Sequence, residues 1–387
     1  MAQRRILFSN QSTGYLFIDV VNAFANQFDC ELYAGQIDVM KTDLHPSVKR
    51  RMLIRYNRNV AHKRIYTWGM YTIQLFFKTL FRKKTDELFI VTNPPFAPFV
   101  GYFFNKLRGT KYHLLIYDVY PDALVNFGII KKGSRLDRIW SRWNKKLLQK
   151  ASTIYSLSDN MASLIKQYNP SVNVEVIHNW TDTSLFSPKE KEYNPFAKQY
   201  GQENKITVMY SGNMGATHAV EKIADLAEAL KNDNAFGFML IGDGAKRELI
   251  ATIKGEKQLD NLLMLPYQPV DVLPNSLTTA DIGIVTLSAG AEDLSVPSKT
   301  YNLLAAGVAL LVIASPASEL AKLVAEYDCG QQFEEHEDQK MINFLIELKN
   351  DKTRLAQMKA NARKASFDFT PANANKYPLL LNSNLKG

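Results

Sequence analysis

Two glycine-rich turns and one lysine offer most of the chemistry in this sequence. Residues 206–230, ITVMYSGNMGATHAVEKIADLAEAL, run an apolar stretch into Ser211-Gly212-Asn213-Met214-Gly215 and then into an amphipathic pattern from about His218. Small residues at a strand-to-helix turn leave backbone N–H groups uncovered, and a helix start adds partial positive charge, so such a turn can hold a phosphate. A βα turn that uses glycine only for its geometry accounts for the same residues. Residues 238–249, FMLIGDGAKREL, repeat the pattern with Gly242-Asp243-Gly244. Loops at the carboxyl ends of parallel strands line the ligand crevice of an open α/β sheet, which raises the value of two such turns in one region. In residues 291–315, AEDLSVPSKTYNLLAAGVALLVIAS, Ser298 can cap a helix that starts near Lys299 and ends at Gly307. A lysine at a helix start opposes the macrodipole. The misfit makes sense if Lys299 reaches a diphosphate, and an ordinary surface lysine is the plain alternative.

Two further stretches carry charge. IYDVYPDALVNFG, residues 116–128, places Asp118 after an apolar run and Asp122 after a proline. A carboxylate at a strand's carboxyl end could orient or deprotonate an acceptor hydroxyl. Helix capping is the other reading, and for Asp122 the better one. Residues 49–84 mix Arg and Lys clusters with Tyr66, Trp68, Tyr71, Phe76, Phe77 and Phe81. Such a stretch can lie in the headgroup layer of an anionic membrane. RNA binding and a core helix with snorkelling cations are its rivals.

The elements that must position these residues are legible as short apolar runs alternating with longer helical patterns. RILFS, LFIVT, YHLLIYD, TIYSLS and VEVIHN read as strands in the first half; ITVMYS, FGFMLIG, LLMLPY, IGIVTL and ALLVIA do in the second. They lack clean polar alternation, the mark of strands buried on both faces of a parallel sheet. With 387 residues, two doubly wound domains follow, and the polar, proline-bearing residues 182–203 are the expected break. The apolar fraction of 46% argues against a disordered chain, except at its ends. The two cysteines, Cys30 and Cys329, and the six scattered histidines give no metal-ligand spacing. Neither the N-terminus nor the proline-interrupted run 88–105 has the apolar core of a signal peptide or a membrane span. Charge is lopsided: residues 1–200 hold 29 Lys and Arg against 15 Asp and Glu, and the remainder 18 against 23. A basic half suggests an anionic partner, nucleic acid or an acidic membrane surface.

The order and separation of the three phosphate-type motifs resemble the nucleotide-sugar domain of GT-B glycosyltransferases, in the retaining group 1, family 4-like branch that builds bacterial surface polysaccharides. TNPPF (92–96), YDVYPD (117–122), LSDNM (157–161) and IHNWTD (177–182) look like that branch's N-terminal landmarks, and YSGNMG, IGDG and VPSKTYNLLAAG like its C-terminal ones. The resemblance implies an α/β GT-B fold of two Rossmann-like doubly wound domains facing a central cleft. Residues 1–190 would form the acceptor side and residues 200–365 would bind the nucleotide sugar, with helix 366–387 packing back on the first domain. It further implies that Gly212, Asn213 and Gly215 approach the phosphates and that Gly242, Gly244 and Tyr267 flank the nucleoside. Ser295, Ser298 and Lys299 would meet the diphosphate or sugar, while Gly14 and Asp118 face the acceptor. No metal and no cofactor are implied. Three positions depart from the family pattern. Where many members carry two glutamates with seven residues between them, this chain has Leu294 and Asn302. Asn302 can still hydrogen-bond a ribose hydroxyl, without charge. Asn213 and His218 stand near where relatives carry Arg and Lys, and Tyr117 where a His often precedes the aspartate.

The sequence is therefore read as a hexosyltransferase-type enzyme with Asp118 and Lys299 as catalytic candidates. It would take a sugar from a nucleoside-diphosphate sugar to a lipid-linked glycan, in the cytoplasm and peripherally on the inner face of an anionic membrane. A non-catalytic GT-B homologue that binds nucleotide sugar or glycan lipid as a partner subunit is the alternative. Nucleic acid is not expected, because no RNA-recognition signature accompanies the basic stretch.

Overall fold

A computed structural model describes residues 4–38, 42–57, 61–126, 128–215, 218–287 and 297–383. The chain forms two compact units, Met1–Asn179 with Pro371–Gly387, and Trp180–Thr370. Each is built on one parallel sheet with helices between most successive strands, so the expected pair of doubly wound Rossmann-like domains is what the chain forms.

The first unit contains β1 (Arg5–Thr13), β2 (Asp29–Ile37), β3 (Lys49–Met52), β4 (Glu87–Val91), β5 (Tyr112–Leu115), β6 (Thr153–Ser156) and β7 (Val174–Val176). They pair in the order β3-β2-β1-β4-β5-β6-β7. β4, β5 and β6 are buried along their full length, which is why their sequences show no strict polar alternation. Phe8, Phe24 and Phe89 meet at ring separations of 5.3 to 5.6 Å in the core. Ser134 and Ser158 cap the helices Arg135–Lys150 and Asp159–Tyr168 by accepting from the Asp137 and Met161 amides. The chain's final segment completes this unit. Pro378 sits in the first turn of helix Lys376–Ser383, where a missing N–H costs little. Tyr377, 1% exposed, packs 4.9 Å from the Tyr155 ring.

The basic stretch 49–84 is neither one helix nor one surface. Its start is β3, an edge strand whose four residues are all exposed. Cations along an edge discourage pairing with another chain. Arg51 and Arg82 both reach Glu31 on the neighbouring β2. Its second part is helix Ala61–Leu80.

The second unit contains β8 (Ile206–Ser211), β9 (Phe236–Ile241), β10 (Leu262–Leu265), β11 (Ile282–Thr286), β12 (Ala309–Ile313) and β13 (Gly330–Phe333), in the order β10-β9-β8-β11-β12-β13. Residues 182–203 are built into this unit rather than strung before it. Trp180, Phe186 and Phe196 are buried, and the Asn194 side chain caps helix Pro195–Gln199 while donating to the Asn275 carbonyl. Lys191 and Lys359 each hold one oxygen of the buried Asp281 carboxylate, at 2.5 and 2.8 Å. Among the described residues no helix is long and apolar enough to cross a membrane.

Candidate functional site

The two glycine turns of the second unit are interlocked. β8 and β9 are neighbours, and the Gly212 amide donates to the Ile241 carbonyl at 2.9 Å, one residue before Gly242. Gly242 has φ +136°, and a Cβ there would land on the Gly212 carbonyl. Gly244 has φ +149°, and a Cβ there would stand 2.6 Å from the Met214 carbonyl carbon. Both positions therefore demand glycine for backbone shape and for close approach. The Met214 amide donates to the Asp243 carbonyl, and the Lys246 amide to the Met214 carbonyl, so the two loops are stitched into one surface. Among the described residues the Asn213 and Gly215 amides have no acceptor. They remain available to an anion.

Lys299 comes to this surface from the other side. It opens helix Lys299–Ala305, and its Nζ lies 3.7 Å from the centre of the buried Tyr210 ring. A Cβ on Gly212 would be 3.5 Å from that nitrogen. The Tyr210 hydroxyl donates to the Asn213 carbonyl at 2.7 Å, which fixes ring and loop together. Lys299 Nζ is buried with no hydrogen-bond partner among the described residues, and so is His218 Nδ1. Burial brings the lysine down from 10.5 to about 7. Burial first, then the charges of Lys299 and Lys246, bring His218 down to about 4, leaving its ring neutral at physiological pH. A buried cation without a counter-ion is costly, and a bound diphosphate would remove that cost.

The expected residues are only partly gathered here. Gly212, Asn213, Gly215, Gly242, Gly244 and Lys299 converge. Tyr267 reaches the same loops through its hydroxyl, 3.5 Å from the Asp243 carbonyl, with its ring 56% exposed. Ser298 is exposed and caps nothing; its backbone is already helical, with φ −59° and ψ −27°. Asn302 is otherwise engaged, since its Oδ1 accepts from the Thr181 hydroxyl at 2.6 Å. Ser295 and Leu294 lie outside the described residues. Tyr210 and His218 join the gathered residues. Tyr210 reads as a core strand residue, and nothing in its spacing reveals that its ring faces the lysine.

In the first unit Asp118 follows β5, and the Tyr117 and Asp118 amides donate to Thr92 Oγ1 at 3.0 and 3.3 Å. Its carboxyl lines a small cavity of about 30 Å³ with Tyr120 and Asn144, and burial raises it to about 6. Asp122 accepts from the Tyr168 hydroxyl in the first turn of helix Asp122–Asn126. Gly14 precedes helix Tyr15–Ala25 with extended backbone, and a Cβ there would meet nothing within 4 Å. The carboxyl ends of β1, β2 and β4 also border an open polar cavity of about 800 Å³, lined by Ser12, Gln36, Asp38, Arg55, Tyr56, Asn57 and Asn93. Asn93 belongs to the TNPPF landmark and Arg55, Tyr56 and Asn57 to the basic stretch, but Ser12, Gln36 and Asp38 carry no signal, because polar residues at strand ends look like ordinary turn formers.

Amides and a cation without partners among the described residues, gathered near the mouths of β8 and β9, suit a diphosphate, and residues 193–365, which hold them, match the family described as Glycosyl transferases group 1. That stretch is similar to the group 1 glycosyl transferases. Around it the likeness extends further. The chain is 26% identical to the WbjE glycosyltransferase of Pseudomonas aeruginosa over 83% of its own length and 82% of that protein. It is 25% identical to the colanic acid biosynthesis glycosyl transferase WcaI of Escherichia coli K12, over 67% and 66%. The crystal structure of Anabaena HepE in complex with UDP matches with a TM-score of 0.74 at 14% identity, covering 98% of this chain and 99% of that one. The two units thus have the GT-B type of fold, each of them Rossmann-like.

Proposed function

We propose that the chain is a glycosyltransferase that moves a sugar from a nucleoside-diphosphate sugar to a glycan acceptor in surface-polysaccharide synthesis. The observation that carries this reading is the Lys299 Nζ beside Gly212 and the Asn213 and Gly215 amides, all without partners among the described residues. In the proposed reaction the anomeric C–O bond to the diphosphate breaks and negative charge grows on the leaving oxygen. Preorganised N–H groups and a cation are the groups that stabilise such charge. The sugar passes to an acceptor hydroxyl, with Asp118 as the carboxylate that orients it or takes its proton. Retention at the anomeric carbon is part of the proposal by family resemblance. The UDP and UDP-glucose complexes of HepE support the donor class, and the colanic acid role in the name of WcaI supports a polysaccharide product. We take the acceptor to be lipid-linked, which would put the protein at the cytoplasmic face of a membrane. Neither a metal nor another cofactor is part of the mechanism.

The test is a thermal-shift series with UDP, GDP and ADP, followed by transfer of labelled sugar to a lipid-linked glycan extract. A saturating diphosphate at about 100 times its Kd adds roughly 2.7 kcal/mol of apparent stability. One base is expected to raise the midpoint, and its sugar to label the acceptor. No shift with any of the three, and no transfer, would sink the proposal. A shift without transfer would favour a non-catalytic binder, a reading that the engaged Asn302 supports.

A further inference from the structure

The first unit shows an outer face that its own core does not explain. Helix Ala61–Leu80 leaves Tyr66, Ile73, Phe77 and Leu80 exposed, along one stripe at helical spacing, and Phe81 just beyond is 85% exposed. Helix Pro98–Arg108 exposes Phe103 and Leu107, four residues apart. Helix Arg135–Lys150 exposes Leu136, Ile139 and Trp143. These stripes adjoin. Phe76 lies 5.1 Å from Phe103, and Trp143 packs edge-on to Tyr102 and Phe99. Between the second and third helices is an open apolar trough of about 730 Å³ walled by Phe99, Tyr102, Phe103, Leu107 and Trp143, with Lys106 at its rim. An exposed apolar surface spanning three helices marks an interaction site.

The charge around that surface has one sign. No acidic residue occurs from Leu44 to Thr85 or from Leu88 to Tyr117. Asp137 is the sole acid of helix Arg135–Lys150, and it is engaged with the Gly133 amide and the Ser141 hydroxyl. Lys78, Lys83, Lys84, Lys106, Arg142, Lys145 and Lys146 are exposed, and none has an ion pair among the described residues. Lys146 Nζ rests 5.0 Å from the Trp143 ring, a cation held above an aromatic at the edge of the trough. Aromatic and aliphatic side chains ringed by free cations, without acids, complement the headgroup layer of an anionic bilayer.

We infer that the outer face of helices Ala61–Leu80, Pro98–Arg108 and Arg135–Lys150 seats the protein on an anionic lipid bilayer, with Phe103 and Trp143 entering the headgroup boundary. The inference deepens the proposed function by giving a lipid-linked acceptor its surface of approach, and it rests on that reading only in this respect. It enlarges the contact expected from residues 49–84. β3 is not part of it, and helix Arg135–Lys150 supplies its third wall.

Flotation of the full chain with vesicles tests it. The protein is expected to float with vesicles containing phosphatidylglycerol and not with phosphatidylcholine alone, and to be released by raised salt. Phe103→Glu with Trp143→Glu should abolish flotation. Lys145→Gln and Lys146→Gln should each weaken it about fivefold. Both pairs are on the surface, so far-UV dichroism and the nucleotide thermal shift should be unchanged. Nucleotide binding without flotation would overturn this inference and leave the donor reading standing. Equal flotation with neutral vesicles, or undiminished flotation of the Glu pair, would also overturn it. A dimeric wild type beside a monomeric Glu pair, with no flotation, would assign the face to a second copy instead.

Discussion

The Lys299 ammonium nitrogen stands 3.7 Å over the ring of Tyr210, and no carboxylate among the described residues answers its charge. The aromatic face offsets part of the desolvation that pulls the lysine down to about 7. In the free protein it is therefore neutral above about pH 7, and a bound diphosphate should restore its proton. UDP or the cognate diphosphate is expected to bind more weakly as pH rises from 7 to 9, by up to about tenfold per pH unit. Lys299→Met should bind weakly at all these values, with a flat profile. The stability of the free protein has the matching sign. The depressed lysine contributes stability that is full above 10.5 and is lost as pH falls through about 7, and Lys299→Met should abolish that dependence. Calorimetric titration across pH checks the first, and chemical denaturation the second.

Glycine substitutions should separate backbone demand from ligand contact. Gly242→Ala places a methyl on the Gly212 carbonyl at a φ that side chains resist, and should cost about 2–3 kcal/mol or more in denaturant unfolding. Gly14→Ala meets open space in an extended conformation and should change stability by less than about 0.5 kcal/mol. If Gly14 admits an acceptor, its alanine variant should raise the acceptor KM and leave the donor KM alone.

Thr181 and Asn302 form a pair whose energy is measurable. Thr181→Val leaves Asn302 Oδ1 without its donor and should destabilise the protein by about 1 kcal/mol. A double-mutant cycle with Asn302→Ala should give a coupling energy above about 0.5 kcal/mol. Additive effects would mean that the bond contributes nothing to folding.

Asp118 should report in the acceptor reaction. With its carboxyl raised to about 6 by burial, it is a competent base only above that pH. The kcat/KM for acceptor is expected to fall tenfold per unit below about pH 6, and Asp118→Asn should remove that limb along with most of the turnover. Its effect on stability runs the other way: the contribution is full below 3.8 and lost as pH rises through about 6.

The elements that hold the donor loops were legible because buried parallel strands write themselves as apolar runs. β8, β9, β11 and β12 stand where the sequence puts them, and Gly242 and Gly244 sit where strand turns to loop. β2, β3 and β13 were not visible. DCELYAGQI and GQQF carry charges and amides, and KRRM is entirely exposed, so their strand character comes from pairing rather than pattern. Residues 182–203 read as a break because they are polar, proline-bearing and without strong periodicity, although Phe186 and Phe196 within them are buried. Single residues were harder still. Ser298 looks like a cap, but its backbone has already entered the helix. The loss of charge at Asn302 was evident, whereas its bond to Thr181, 121 positions away, joins residues that no local pattern relates.

The segment Pro371–Gly387 gives the first unit a dependence on synthesis order. Tyr377 occupies a site against Tyr155 and Phe89, and the Arg4 guanidinium reaches Asn382 at 3.2 Å. These contacts of the first unit thus form only after the ribosome has delivered the entire second one. A nascent chain would hold the Tyr155 site open to solvent throughout that interval, while the six-stranded unit is free to finish first.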